Sequence, residues 1–175
     1  YPVMGNHDLW AGGSPHLEAA FVTPGEELYY SFDRGNVHFV VLDGHANVAL
    51  ACLVDGDPVL ECLSEDQAAW LEADLRDACA REDVDMSFVI LHVGPYSSKE
   101  GRQGNGYIRR LLPLFAETGV AAVLSGHDHY YERGVSDNGI PYVISGGGGA
   151  PLYDLGPPSN APHSGEHHAG AHLYV

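Results

Sequence analysis

The sequence predicts a layered α/β domain. Short apolar, β-rich runs alternate with amphipathic helical stretches, glycine-rich turns separate them, and no internal repeat is evident. A length of 175 residues suits one domain over residues 1–175, and a hydrophobic content of 45 % is enough to build a core.

In chain order, "YPVMG" reads as a brief strand ending at Gly5, and "NVHFVVLDG" (36–44) as a longer one whose continuous apolar stretch predicts burial on both faces. "SEDQAAWLEADLRDAC" (64–79) is the clearest helix. Ser64 and Gln67 stand at capping-box spacing, Glu65 and Asp66 suit the first turn, and Ala68, Leu71, Leu75 and Ala78 line one face. "MSFVILH" (86–92) is a buried strand. "GYIRRLLPLFAETG" (106–119) reads as a helix kinked or broken near Pro113 and stopped at Gly119. "VAAVLSGHDH" (120–129) and "IPYVISGGGG" (140–149) add two strands, and the Gly, Pro, Ser and His of residues 157–170 predict a loop.

Charge excludes whole classes of function. With 8 Lys+Arg against 24 Asp+Glu, the net charge of -16 repels nucleic acid and anionic membrane surfaces. No apolar run approaches the roughly 18 residues of a membrane span, and no secretory signal pattern is visible. The opening at Tyr1 and the strand-like closing "HLYV" read as cut ends. Cysteines 52, 62 and 79 match no zinc or redox motif; Cys52 and Cys62 bracket "LVDGDPVLE" and either close a small disulfide or stay as two thiols.

Three predicted strands each deliver ligand-type residues at their C-terminal ends: Asn6 and His7 after "PVMG", His92 after "FVIL", His127 and His129 after "AVLSG". In open α/β sheets the crevice beyond the strand ends binds ligands, so these residues are expected to converge. Imidazole nitrogens with an amide oxygen suit Zn, Fe or Mn. Within "GHDH" the two histidines grip one ion or reach two neighbouring ions; two ions about 3.5 to 4 Å apart are a device for hydrolysing phosphate esters.

Taken in order, "GNHD", "LHVGPYSS" and "SGHDHYYER" resemble the last three signature blocks of the calcineurin-like metallophosphoesterases, in their purple acid phosphatase-like branch. "YYSFDRGNVHFVVLD", "LSEDQAAWLEADL" and "YVISGGGGAPLY" extend the resemblance along nearly the whole chain. It implies a four-layer αββα sandwich. It makes Asn6, His92 and His127 ligands of one metal and His129 a ligand of a second. His7 becomes the residue that contacts the phosphate and protonates the leaving group, with Asp8 as its orienting partner. The metals would be two divalent or trivalent ions (Fe, Mn or Zn), and the reaction hydrolysis of a phosphate monoester or diester.

The family's opening Asp-x-His and Gly-Asp blocks have no counterpart here, and the "DGD" at 55–57 stands in the wrong order to replace them. The chain is therefore expected to be a catalytic domain truncated at its N-terminus, and at its C-terminus too, with an incomplete first sheet covered by another chain, an exchanged segment or a rearrangement. At most one well-held ion and impaired hydrolysis follow. The alternatives are an inactive scaffold of the same fold and a histidine-rich metal-binding protein, for which His163, His167, His168 and His172 are the tail candidates.

Around the site, Tyr96, Ser97, Ser98 and Lys99 either line the pocket or are merely solvated. Tyr130 and Tyr131 are expected beneath it, Glu132 and Arg133 as an ion pair, and Gly146 to Gly149 as a turn. An extracytoplasmic location is favoured by the resemblance and the potential 52–62 bridge.

Overall fold

The computed structural model describes residues 1–10, 14–24, 28–44, 52–54, 57–59, 62–153 and 164–168. The opening residues form no strand and lead into α1 (Asn6–Trp10), followed by α2 (Ser14–Ala20). Then come β1 (Tyr30–Arg34), β2 (Val37–Val41), β3 (Cys52–Val54), β4 (Asp57–Val59), α3 (Glu65–Ala80), β5 (Met86–Leu91), α4 (Gly106–Glu117), β6 (Val120–Ser125), β7 (Tyr131–Val135), β8 (Pro141–Ser145) and β9 (Ser164–His168). The layered α/β class is as expected. The described residues furnish one seven-stranded sheet, ordered β1-β2-β5-β6-β8-β7-β9, and a two-stranded β3-β4 ribbon. Strands β2, β5, β6 and β8 run parallel, so their carboxyl ends open on one edge.

Both crossover helices pack on one face of this sheet. Leu71 and Leu75 of α3 and Ile108, Leu112 and Phe115 of α4 share a core with Val40, Val89, Val123 and Tyr142, which are in register across four strands. Burying such side chains contributes about 1.5 to 3 kcal/mol each. The opposite face carries a row of aromatic rings. Tyr1, Phe32, Phe39 and Phe88 stack with centroids 3.6, 5.1 and 5.7 Å apart, and the three phenylalanines stay only partly buried.

Four elements differ from the sequence reading. "YPVMG" is no strand: Pro2 has no N–H for a ladder, and its carbonyl accepts instead from the Tyr30 hydroxyl at 2.7 Å. The capping box is half formed. Ser64 caps α3 by accepting from Gln67 N–H at 3.1 Å, but the buried Gln67 amide bonds both the N–H and the carbonyl of Asp43 (3.0 and 2.9 Å), tying α3 to the end of β2. Helix α4 runs unbroken through the solvent-facing Pro113, capped by Asn105, whose side chain accepts from Tyr107 and Ile108 N–H. Within the tail, residues 164–168 form β9, an edge strand antiparallel to β7 with His167 opposite Glu132 and His168 opposite Tyr131. His163, His172 and Asp55 lie outside the described residues. Cys62 is disulfide-bonded and Cys79 is free and exposed.

At the far end of the sheet, an ionic knot joins the β1-β2 hairpin to α3. The buried His38 sets Nδ1 at 2.7 Å from Asp33 and Nε2 at 2.9 Å from Asp74, while Asp33 also accepts from Arg81 and Asp74 from Ser31. Carboxylates only accept, so both ring nitrogens donate and His38 is an imidazolium. The Asp74 contact, followed by Asp33, raises its pKa, and His38 in turn lowers that of Asp33. With the folded value above an unfolded value of about 6.5, the His38 contribution is complete below that pH and is lost as pH rises through the folded value. His38→Gln is expected to cost about 2 kcal/mol near pH 6 and distinctly less near pH 9. Urea unfolding of both proteins at the two pH values checks this; an equal cost at both would refute the imidazolium.

Candidate metal centre

The parallel strands bring the candidate residues to one edge. Strand β5 ends one residue before His92, β6 ends two residues before His127, and the exits are joined by Gly126 N–H donating to the His92 carbonyl at 3.0 Å. The loop before α1 approaches the same place, because Gly5 presents no side chain to it. A Cβ there would lie 3.0 Å from the His92 ring. Asp8 shapes this approach by accepting from Gly5 N–H at 2.8 Å, so its carboxylate organises the loop that carries Asn6 and His7.

Three donor atoms meet as a result. His92 Nε2 is 2.8 Å from Asn6 Oδ1 and 3.0 Å from His127 Nδ1, and the two rings stand edge to face with centroids 4.8 Å apart. Nε2 carries at most one hydrogen, which cannot fully serve both neighbours. A cation would satisfy all three lone pairs. In an octahedral shell with bonds of about 2.1 Å, adjacent donors stand about 3.0 Å apart, which is the spacing found. Among the described residues no three His, Cys, Asp or Glu side chains form such a group, the third donor here being an amide.

The "GHDH" turn is shaped to make this meeting. His127 has φ 64°, the one non-glycine residue in the left-handed region among those described. Such a conformation costs about 1 to 3 kcal/mol and persists only where its surroundings enforce it. They do so through Asp128, which is buried: its carboxylate accepts from Ser97 Oγ at 2.6 Å and from Arg102 Nη1 at 2.5 Å. Ser97 also bonds the Tyr130 hydroxyl at 2.8 Å. Burial pushes the Tyr130 phenol well above its ordinary pKa, so it stays neutral.

His129 is held separately. Its Nδ1 is 2.7 Å from the Pro151 carbonyl, which accepts, so Nδ1 carries the hydrogen and Nε2 keeps its lone pair for a metal. Its ring stacks on Tyr153 at 4.4 Å. His7, one residue beyond Asn6 in the first turn of α1, is exposed.

Several supports escaped the sequence reading. Tyr130 packs beneath the site as expected. Glu132, however, points into the core, accepting from Tyr142 OH (2.8 Å) and Ser98 N–H (2.9 Å), whereas Arg133, its neighbour along β7, is exposed. Successive strand residues face opposite ways, which explains the difference from the expected Glu132-Arg133 pair. Ser97 and Ser98 are buried braces rather than pocket lining, and Lys99 is half-buried. In the glycine run, Gly146 backs the "GHDH" turn so closely that a Cβ would fall 2.0 Å from the Asp128 carbonyl oxygen.

Comparison with known proteins identifies the family to which the fold is similar. Residues 1–131 match the family of calcineurin-like phosphoesterases. The chain is 32% identical over 162 residues to tartrate-resistant acid phosphatase type 5 of Oryctolagus cuniculus, covering 85% of the chain and 48% of that protein. It is 36% identical over 121 residues to purple acid phosphatase 22 of Arabidopsis thaliana, covering 68% of the chain and 24% of that protein. The structure of purple acid phosphatase PPD1 from yellow lupin seeds superposes with a TM-score of 0.67 at 25% identity, covering 95% of this chain and 31% of that one. The chain thus spans about half the length of the rabbit relative and less of the plant ones.

Gly146→Ala should cost at least about 1 to 3 kcal/mol and weaken zinc binding, because the turn must shift to admit a methyl group. Gly148→Ala, where a Cβ meets nothing within 4 Å, should leave both near wild type. Thermal unfolding and zinc titration of the two variants provide the comparison.

Proposed function

Because the chain belongs to the calcineurin-like phosphoesterases, in the branch of the purple acid phosphatases, we propose that it is the metal-binding part of a phosphate-ester hydrolase. The observation that carries this reading is the meeting of Asn6 Oδ1, His92 Nε2 and His127 Nδ1 at ligand spacing. The family implies transition-metal ions. Zn, Fe or Mn fits this donor set, with Asn6, His92 and His127 holding one ion and His129 contributing to a second. Ions bound there supply positive charge for the phosphate oxygens and acidify the attacking water.

The chain's own residues do the rest. Asn6 and His7 are consecutive, so the residue that binds metal also fixes where the exposed His7 imidazole can reach. From there His7 acts as the general acid that protonates the departing alkoxide. Asp128, braced by Ser97 and Arg102, holds the turn that aims His127 and His129. With His129 as its one candidate ligand among the described residues, the second ion is held weakly by this chain, and hydrolysis by the chain alone is poor.

The chain acts as a single catalytic domain within a longer one. The partly buried row of Phe32, Phe39 and Phe88 offers an apolar face on which another chain or segment can pack. No helix among the described residues is long and apolar enough to cross a membrane. The Cys62 disulfide favours an oxidising, extracytoplasmic setting.

The test is hydrolysis of an aryl phosphate monoester and diester, by this chain and by a version extended upstream, after chelation and again after adding metal. The extended protein should lose activity with its metal and regain it on addition, and His7→Ala should lower kcat by about 10²- to 10⁴-fold. Turnover that survives chelation, or that ignores His7, would refute the proposal.

A further inference from the structure

The sequence contains one lysine, Lys99, and the fold places it beside the candidate metal centre. Its Nζ lies 4.6 Å from the centroid of the Tyr153 ring, with Arg102 Cζ 5.4 Å from the same centroid. That ring also stacks on His129 at 4.4 Å, so the ammonium is no farther from the imidazole centre than these two short steps allow. The arrangement is held from several directions. Tyr153 N–H donates to the His129 carbonyl at 3.2 Å, Lys99 N–H donates to Ser97 Oγ at 3.1 Å, and Arg102 is tied to Asp128 inside the "GHDH" turn.

Two positive charges so close to a cationic centre, in a chain of net charge -16, need an account. Elsewhere arginines are consumed by their partners: Arg76 by Glu72 and Glu117, Arg81 by Asp33 and Asp83, Arg109 by the carbonyls of Pro95 and Gln103. Lys99 differs. Among the described residues it is paired with no carboxylate, and its contact with the Tyr153 face uses none of its three N–H donors. Arg102 is paired with Asp128 and also hydrogen-bonds Tyr153, yet keeps 39% of its side chain exposed. The Lys99 ammonium, held against an aromatic ring with no carboxylate partner among the described residues, is preorganised for an anion, and Arg102 adds a half-exposed guanidinium beside it.

We propose that Lys99 and Arg102, on the Tyr153 platform, form a subsite for a second anionic oxygen group of the substrate. The phosphate ester taken by this site then carries another negative charge, a carboxylate or phosphate, on its leaving-group side. This deepens the phosphoesterase reading and rests on it. An ester with a neutral leaving group meets only the metal centre, whereas a doubly anionic one bridges the metal centre and the Lys99-Arg102 pair.

Equilibrium binding of two non-hydrolysable probes to the zinc-supplemented chain separates the possibilities. Propylphosphonate offers the phosphate mimic alone, and 3-phosphonopropionate adds one carboxylate to the same skeleton. The carboxylate probe should bind about tenfold tighter, and high salt should reduce that ratio. Lys99→Gln should bring the ratio close to one, and Lys99→Glu should reverse it; Lys99 is half-buried and bonds through its backbone, so both variants should fold. Equal affinities in the wild type, or a tenfold ratio that survives Lys99→Glu, would overturn the subsite while leaving the phosphate site intact. Failure of both probes to bind would overturn the phosphate site and the subsite together.

Discussion

Everything at the functional edge of this domain depends on one contact, the approach of the Asn6 amide oxygen and the His127 Nδ1 to the His92 Nε2. Oxygen and nitrogen lone pairs brought this close repel unless a hydrogen or an ion lies between them, so the cluster is costly to gather. The protein nevertheless assembles it from three distant parts of the chain. The parallel pairing of β5 and β6 sets the two histidines side by side, and the side-chain-free surface of Gly5 lets Asn6 close the group.

Assembling it requires strain, and the surrounding contacts show where that strain is offset. His127 sits in the left-handed region, and the turn around it is clamped by hydrogen bonds from Asp128 and Tyr130 N–H to the carbonyls of Gly126 and Asp128. The carboxylate of Asp128 is fixed by Ser97 and Arg102, and the turn rests against Gly146, where any larger residue would collide. A loop braced this way has little freedom to rearrange when a ligand arrives. Such preorganisation is what a metal centre needs if its donors are to be in place before the ion binds.

Much of this was legible in the sequence. The buried strands, the long α3 with its Leu71 and Leu75 face, and the convergence of Asn6, His92 and His127 follow from patterns local to each segment: apolar runs, helical spacing and ligand residues at strand ends. What escaped depends on pairings between segments. Nothing near Gln67 announces that its amide will dock on the backbone of Asp43, because the contact exists only once α3 lies across β2. The Ser-Gly-Glu-His-His composition of β9 has little intrinsic β preference and predicts a loop, and the segment is a strand because β7 offers it an unpaired edge. Proline 113 suggested a break, but on the solvent side of α4 the loss of one hydrogen bond is tolerated. The brace around Asp128 was hidden for the same reason as the Gln67 contact, its partners being some thirty residues upstream.

The central claim is that the His92 cluster, and not the histidine-rich tail, is where metal binds. X-ray absorption at the zinc edge, recorded on protein loaded with one equivalent, addresses it directly by counting imidazoles around the ion. The account predicts two imidazole nitrogens at about 2.0 to 2.1 Å in the wild type and one fewer in His92→Ala. An imidazole count that is the same in both proteins would place the zinc elsewhere and contradict the account.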